Sequence, residues 1–279
     1  MRNTRTRIKL FVSYVLLVVI SIVCLYPAIW ILVSAFRPGG AIYSPTFLPD
    51  RFTTEHFSAL FNDKSFVFGR WYRNTLKIAL YSTFFGTLGT TMVAYVLSRF
   101  RFKSRRRVLS TILILNMFPS FMSLVAVFLL FNSFNLLNTH AALIIVYSLG
   151  APVGGAFIVK GFFDTIPRSL EESARIDGAS HLTVFSRIML PLCRPILIYM
   201  AVTIFTGAWV DFVLARFLLR SREQWTVAVG LWDLATNFRT ANFTMFAAGC
   251  VLVAVPITVL FMMMQRFIVE GLTSGANKG

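Results

Sequence analysis

The chain is poor in charge. Asp, Glu, Lys and Arg make up 14% of its 279 residues, where soluble chains carry about 25%. The AVILMFWYC set reaches 57%. A water-soluble globule has no interior large enough to hide that much apolar surface, and intrinsic disorder is excluded for the same reason. Acids are the scarcest charge, 11 against 27 Lys and Arg. The resulting +16 would point to nucleic acid in a soluble chain, so the positions of the cations have to decide. Cysteine is sparse and odd in number. Cys24 and Cys250 lie in apolar runs, and with Cys193 they read as small buried hydrophobes, not as a disulfide or metal framework. His56, His140 and His181 are scattered over different loops, which is no zinc spacing, so no metal site is expected. The sequence also lacks a G-x-x-x-x-G-K-[ST] phosphate loop, an H-E-x-x-H pair and a G-x-S-x-G elbow. It encodes no ATPase, zinc-protease or serine-hydrolase chemistry.

Long apolar runs are what the chain does have. A bilayer-crossing helix needs about 20 such residues. Residues 10–36 and 78–98 are free of Asp, Glu, Lys and Arg over 27 and 21 positions. Residues 108–159 run 52 positions without one, enough for two spans separated by the turn formers of 132–140. A fifth run covers 195–215, broken only by Asp211, and a sixth covers 240–265. Six transmembrane helices follow. The first is too long for a signal-peptide core, so it is expected to be retained. Pro27, Pro119, Pro152 and Pro256 fall within spans, as do Gly86, Gly89, Gly150, Gly154, Gly155 and Gly207. These residues serve close helix packing or mark places that bend during transport.

The cations then sort by side. The amino-terminal tail, the loop between spans two and three, the segment between spans four and five and the carboxyl tail together hold 17 Lys and Arg with 5 acids. The other side holds 10 cations and 6 acids. The positive-inside bias places both termini in the cytoplasm, so the basic excess is a topology signal and no nucleic-acid partner is expected. Two outer segments, 37–77 and 216–239, are long enough to meet a soluble partner or to cap the bundle. Asp211 is the clearest intramembrane acid and calls for a partner. Arg73, Lys77 and Arg216 are the candidates for a structural pair, with a pore or gate role, or a proton relay, as the alternatives. Asn116, Tyr147 and Ser148 are further polar candidates for the pore.

The cytoplasmic segment 166–195 is the longest on its side and is amphipathic. Pro167 suits a helix start, Ser169 and Glu172 have capping-box spacing, and Gly178 sits where a helix would stop. A second short helix pattern, Leu182, Phe185, Ile188 and Met189, is expected to end at Pro191. Such an element either lies on lipid or docks a cytosolic partner. The Glu171 and Glu172 pair is compatible with a solvated helix start favoured by the macrodipole.

Glu172-Ser173-Ala174, three residues, Gly178, nine residues, Ile188-Met189-Leu190-Pro191 resembles the E-A-A-x3-G-x9-I-x-L-P signature of permease subunits of binding-protein-dependent ABC importers. Ser173 stands where that signature has Ala. The likeness extends to Trp71-Tyr72-Arg73-Asn74-Thr75-Leu76 and to the carboxyl end. The first resembles the segment that opens the permease core in this family, and the second is similar to the tail of the smaller, six-span permease of the maltose/maltodextrin type.

The resemblance implies an all-α integral membrane protein with the type I ABC importer permease fold in the cytoplasmic membrane of a bacterium. It implies a basic tail (1–9), a first span (10–36), an extracytoplasmic segment (37–70), a five-span core (71–267) with a coupling segment (161–195), and a cytoplasmic tail (268–279). The partners it implies are a second, larger permease, two ATPase subunits and an extracytoplasmic sugar-binding protein. ATP and magnesium would sit on the ATPase, with no cofactor in this chain. Glu171, Glu172, Ser173, Ala174 and Gly178 would form the coupling helix, Leu190 and Pro191 would hold the return helix, and Gly271, Leu272, Thr273 and Ser274 would reach the ATPase. The implied cargo is a sugar such as maltose or maltodextrin. Glycerol phosphate is the alternative within the family. An ion-coupled secondary transporter is the alternative outside it, and it leaves the loop signature unexplained.

Overall fold

The computed structural model describes residues 2–40, 46–62, 67–237 and 242–276, with the side chains of 2–5, 120 and 268–276 outside the description. The described residues form helices and connections, with no strand among them. They fall into two compact bodies.

The first body comprises Met1–Val67 and Leu231–Val255. It begins with α1 (Arg2–Ala35), which is helical from residue 2, so the basic tail expected at 1–9 continues the span helix instead of preceding it. None of the most apolar stretch of α1 is buried inside the chain. Cys24 is exposed there, against the expectation of a buried cysteine, because α1 turns every face outward and lipid is its solvent. The segment after it, expected to be extracytoplasmic, contains an unforeseen helix, α2 (Glu55–Asn62). Buried Arg37 organises this segment. Its Nη2 donates to the Thr46 and Phe47 carbonyls at 2.9 Å each, and its own carbonyl meets His56 Nε2 at 2.8 Å.

The second body comprises Phe68–Gly230 and Pro256–Gly279. Its elements are α3 (Phe68–Arg99), α4 (Arg105–Met117), a 3₁₀ turn (Ser120–Ser123), α5 (Leu124–Ser133), α6 (His140–Asp164), α7 (Ser169–Ile176), α8 (His181–Val184), a π turn (Phe185–Met189), α9 (Leu190–Leu192), α10 (Arg194–Val210) and α11 (Val213–Leu218). Two further helices straddle the bodies, α12 (Val227–Thr236) and α13 (Phe243–Ala276). α12 was not expected within the outer segment 216–239.

Helices α1, α3, α6 and α13 are each long and apolar enough to cross a bilayer. The pairs Arg105–Met117 with Phe121–Ser133, and His181–Leu192 with Arg194–Val210, bring the number to six if each bent pair is one span. The first pair bends by 90° at Pro119, and the second by 79° at Cys193. The prolines explain the breaks, since each removes an N–H from the helical ladder. The fifth span ends at Val210, earlier than the expected Ala215, because Asp211 takes extended ψ 119°.

α3 is the centre of this body. Its buried stripe is Trp71, Asn74, Thr75, Ile78, Ser82, Gly86, Thr90, Ala94 and Tyr95, while Leu80, Tyr81, Phe84, Phe85 and Met92 face outward. Between Ser82 and Thr91 the buried residues are small or polar and the large apolar ones face outward, as expected where lipid replaces water. A methyl on Gly86 would lie 3.0 Å from Ala151 Cβ and 3.2 Å from Ile204 Cδ1. α3 and α6 therefore approach closely at that point, and the Ile204 side chain of α10 fills the space beside them. Gly150, Gly154 and Gly207 have open space where a Cβ would go, so close packing does not explain them.

Candidate functional site

The signature segment folds into a helix, a tight turn and a second, irregular helix. Arg168 occupies the N-cap of α7 without a side-chain cap bond, and Ser169 lies inside the helix, so the expected capping box does not form. The C-terminal stop does form. Gly178 adopts φ +86°. Its N–H donates to the Arg175 carbonyl at 3.1 Å, and the Ala179 N–H donates to the Ala174 carbonyl at 2.9 Å. This pair of bonds is a Schellman motif, and it requires the left-handed backbone that glycine adopts freely. Ser180 then caps α8 by accepting from the Thr183 N–H at 3.2 Å.

Pro191 does not end the second helix, which runs on through α9 to Leu192. The ladder is disturbed upstream instead, as the π turn over Phe185–Met189. Pro191 offers no N–H to the Arg187 carbonyl, and Pro195 offers none to Pro191. Leu190 and Pro191 thus stand at the joint between the return helix and α10.

The segment is anchored by an apolar cluster of Ala94, Tyr95, Val159, Phe163, Val184, Phe185, Met189, Cys193 and Met200, with Ala174 and Leu190 packed against it. Tyr95 is its hub, with ring centroids 4.8 Å from Phe185 and 5.9 Å from Phe163. The outer face keeps Glu172, Ser173 and Gly178 exposed, together with Leu170, Ile176 and Leu182. Ile176 is 87% exposed and Leu182 73%, two large apolar side chains on either side of the turn between α7 and α8. Glu171 is different. It pairs with Arg99 and its side chain is only 13% exposed. Arg99, counted from the sequence only as a topology signal, is a site residue that sequence reasoning missed.

A second feature is a cavity of about 520 Å³ between α5, α6 and α10–α11. Its walls include Phe121, Leu124, Val127, Val146, Ile204 and Gly207, and its polar groups are Ser123, Tyr147 and Asp211. Tyr147 donates its hydroxyl to Asp211 Oδ2 at 2.5 Å, and Asp211 Oδ1 accepts from the Leu214 N–H at 3.4 Å. The acid therefore finds a phenol and a helix N-terminus. The expected cation partners Arg73, Lys77 and Arg216 form no ion pair with it among the described residues. A phenol satisfies a carboxylate without adding a second buried charge. Asn116 donates to the Ile112 carbonyl at 2.9 Å and to the Val153 carbonyl at 2.7 Å, tying α4 to α6. Ser148 has a buried hydroxyl without a hydrogen-bond partner. Neither lines the cavity, so of the four polar candidates the fold brings together only Tyr147 and Asp211.

The backbone of Gly271, Leu272, Thr273 and Ser274 continues α13, and their side chains lie outside the described residues. Among the described residues, no three His, Cys, Asp or Glu side chains could hold one metal ion.

The other end of the second body is built on the Trp71–Leu76 motif. Trp71 Nε1 donates to the Arg222 carbonyl at 2.7 Å. Asn74 Nδ2 donates to the Glu223 and Trp225 carbonyls at 2.8 and 3.1 Å, and Thr75 Oγ1 accepts from the Val227 N–H at 2.8 Å. The motif fastens the backbone of 222–227 to the start of α3.

Comparison with known proteins agrees with this architecture. The profile described as "Binding-protein-dependent transport system inner membrane component" matches residues 86–274. The galactooligosaccharides transport system permease protein GanQ of Bacillus subtilis is 40% identical over 99% of this chain and 98% of the relative. The maltodextrin transport system permease protein MdxG of the same organism is 37% identical over 99% of both chains. MalG of Escherichia coli, a maltose/maltodextrin permease, is 33% identical over 97% of this chain and 96% of its own. A crystal structure of a bacterial ABC transporter that imports alginate contains a chain of the same fold, with TM-score 0.81, 23% identity and coverage of 93% of this chain and 96% of that one. With the profile spanning residues 86–274 and these relatives aligned over nearly their whole length, the chain belongs to the binding-protein-dependent ABC importer permeases, as a multi-pass inner-membrane component with the type I fold.

Proposed function

We propose that this chain is one of two different permeases in an ATP-driven importer of an oligosaccharide, working with two ATPase subunits and an extracytoplasmic sugar-binding protein. The observation that carries the reading is the likeness, over 99% of the chain, to permeases named for galactooligosaccharides and for maltodextrin. Both cargoes are short chains of hexoses, so the class is better supported than either sugar. The segregation of 17 cations to one side supports cytoplasmic termini and a cytoplasmic α7.

In this reading α7 docks on the ATPase. Glu172, Ser173 and Gly178 face outward with Ile176 and Leu182 beside them, a mixed apolar and acidic tip suited to a cleft with basic rims. Closure of the ATPase dimer pushes α7, and the bundle above it swings between inward- and outward-facing states. Residues 271–274 meet the ATPase from the end of α13. The cavity at Tyr147 and Asp211 belongs to the pore or its gate, where the break between α10 and α11 gives way. Asn116 and Ser148 act in that reading as supports of α6.

The experiment is ATP hydrolysis by the complex reconstituted in lipid, with its binding protein and a panel of maltotriose, galactotriose and glycerol phosphate. Stimulation by an oligosaccharide, only with binding protein present, supports the proposal and selects the sugar. Stimulation by glycerol phosphate alone, or solute uptake by this chain in ATP-free vesicles under an ion gradient, overturns it.

A further inference from the structure

The ends of α3 and α6 next to α7 carry a group of charges that the docking reading leaves without a task. Arg99 is the last residue of α3. Its side chain is 6% exposed, it pairs with Glu171, and its Nη2 donates to the Ile166 carbonyl at 2.9 Å. Arg168, at the N-cap of α7, reaches back to donate to the Ser98 carbonyl at 3.3 Å, a carbonyl that the helix end leaves without a partner. The Ser98 hydroxyl donates to Asp164 Oδ1 at 2.6 Å, at the end of α6, and Asp164 pairs with Lys160. These contacts tie three elements together. The apolar hold on α7 is slight by comparison. Ala174 packs on the core cluster, while Leu170 and Ile176 are exposed.

A helix of eight residues that must transmit a push needs a stiff attachment. An exposed ion pair yields easily, because water replaces either partner at little cost. A buried one resists separation, since each half would be left as an uncompensated charge. We propose that Arg99 is a positioning residue for energy coupling. It holds Glu171 so that α7 moves as one piece with α3 and α6, and Glu171 serves this mooring rather than contact with the ATPase. The adjacent Glu172, which is exposed, is left for the docking face. The inference rests on the reading of α7 as the ATPase-coupling helix.

The test uses the complex purified through a tag on this chain and placed in vesicles of phosphatidylethanolamine and phosphatidylglycerol. Sugar moved per ATP hydrolysed is read beside the amount of ATPase chain retained. Glu171→Gln is expected to keep the ATPase chains and lower the coupling ratio tenfold or more. The exchange R99E with E171R is expected to restore most of that ratio, a rescue that loss of folding would not allow. Loss of the ATPase chains with Glu171→Gln, a coupling ratio that stays normal, or an exchange variant as uncoupled as the single change would overturn the proposal. Ile176→Asp, on the exposed tip, tests the underlying reading separately. Full retention of ATPase chains there removes the docking assignment, whatever Glu171 does.

Discussion

The two ends of the second body are held by different chemistry. Where α7 sits, the ties between elements involve charged side chains: Arg99 with Glu171, Asp164 with the Ser98 hydroxyl, and Arg168 and Arg105 on carbonyls at the end of α3. At the Trp71 end the side chains are neutral: an indole and an amide donate to backbone carbonyls of 222–225, and the Thr75 hydroxyl accepts from the Val227 N–H. Backbone-directed neutral bonds fix one geometry. The charged contacts join separate helices, and the buried Arg99–Glu171 pair among them resists separation because each half would be left as an uncompensated charge. One end fastens a loop to the start of α3, and the other fastens the short helix α7 to its end.

Four substitutions would break or sharpen that comparison, taken here from the largest effect to the smallest. Arg99→Ala leaves Glu171 buried without its partner, and a loss of about 4 kcal/mol is expected, read as a lower melting temperature of the purified complex. A loss below ~1 kcal/mol would mean that the α7 end is held by packing alone. Gly230→Ala tests the Trp71 end, because the added methyl would overlap the Trp71 ring. The ring is rigid and hydrogen-bonded, so about 3 kcal/mol is expected by the same measurement. Asn74→Ala strips donors from two carbonyls, with an expected loss of about 2 kcal/mol and earlier proteolysis in the 222–227 segment. Gly178→Ala places a Cβ in the left-handed region at about 1 kcal/mol. Its melting temperature should barely move, while the position of α7 shifts enough to lower ATPase binding.

Salt tests how the α7 end is held. Raising it weakens contacts between charges that water reaches and leaves buried pairs largely unscreened. The Arg99 and Glu171 side chains are only 6% and 13% exposed, so hydrogen exchange at α7 should change little in high salt, as at Val227. Acceleration at α7 alone would mean that water reaches the pair.

Much of this was legible in the residues themselves. Apolar run lengths located the spans, since a helix satisfies its whole backbone within one segment and needs about 20 apolar residues to cross lipid. Gly178 and the turn formers of 132–140 read correctly because their conformations are local. Asn135 and Asn138 adopt φ 54° and 61° in that turn, which asparagine tolerates. The misreadings have a common cause. Asp211 was matched with cations by charge, and the fold supplied Tyr147 from 64 positions away. Pro191 was read as a stop, but a proline already in the first turn of the next short helix need not end anything. Arg99 was counted with its neighbours as a topology signal, because a single sequence cannot tell a cation that faces headgroups from one folded onto an acid 72 positions later.

Composition and order of residues by themselves determined a membrane-spanning helical chain, its six apolar runs, the connections in which its cations collect and the loop that carries the signature. All of these depend on solvent or on near neighbours. Tertiary structure alone decided which faces of α3 are inside, which of two adjacent glutamates is turned inward, and where Asp211 finds its partner. Each is a contact between residues far apart in sequence, and in a bilayer apolar periodicity does not mark the buried face, because lipid accepts the same side chains that a core does.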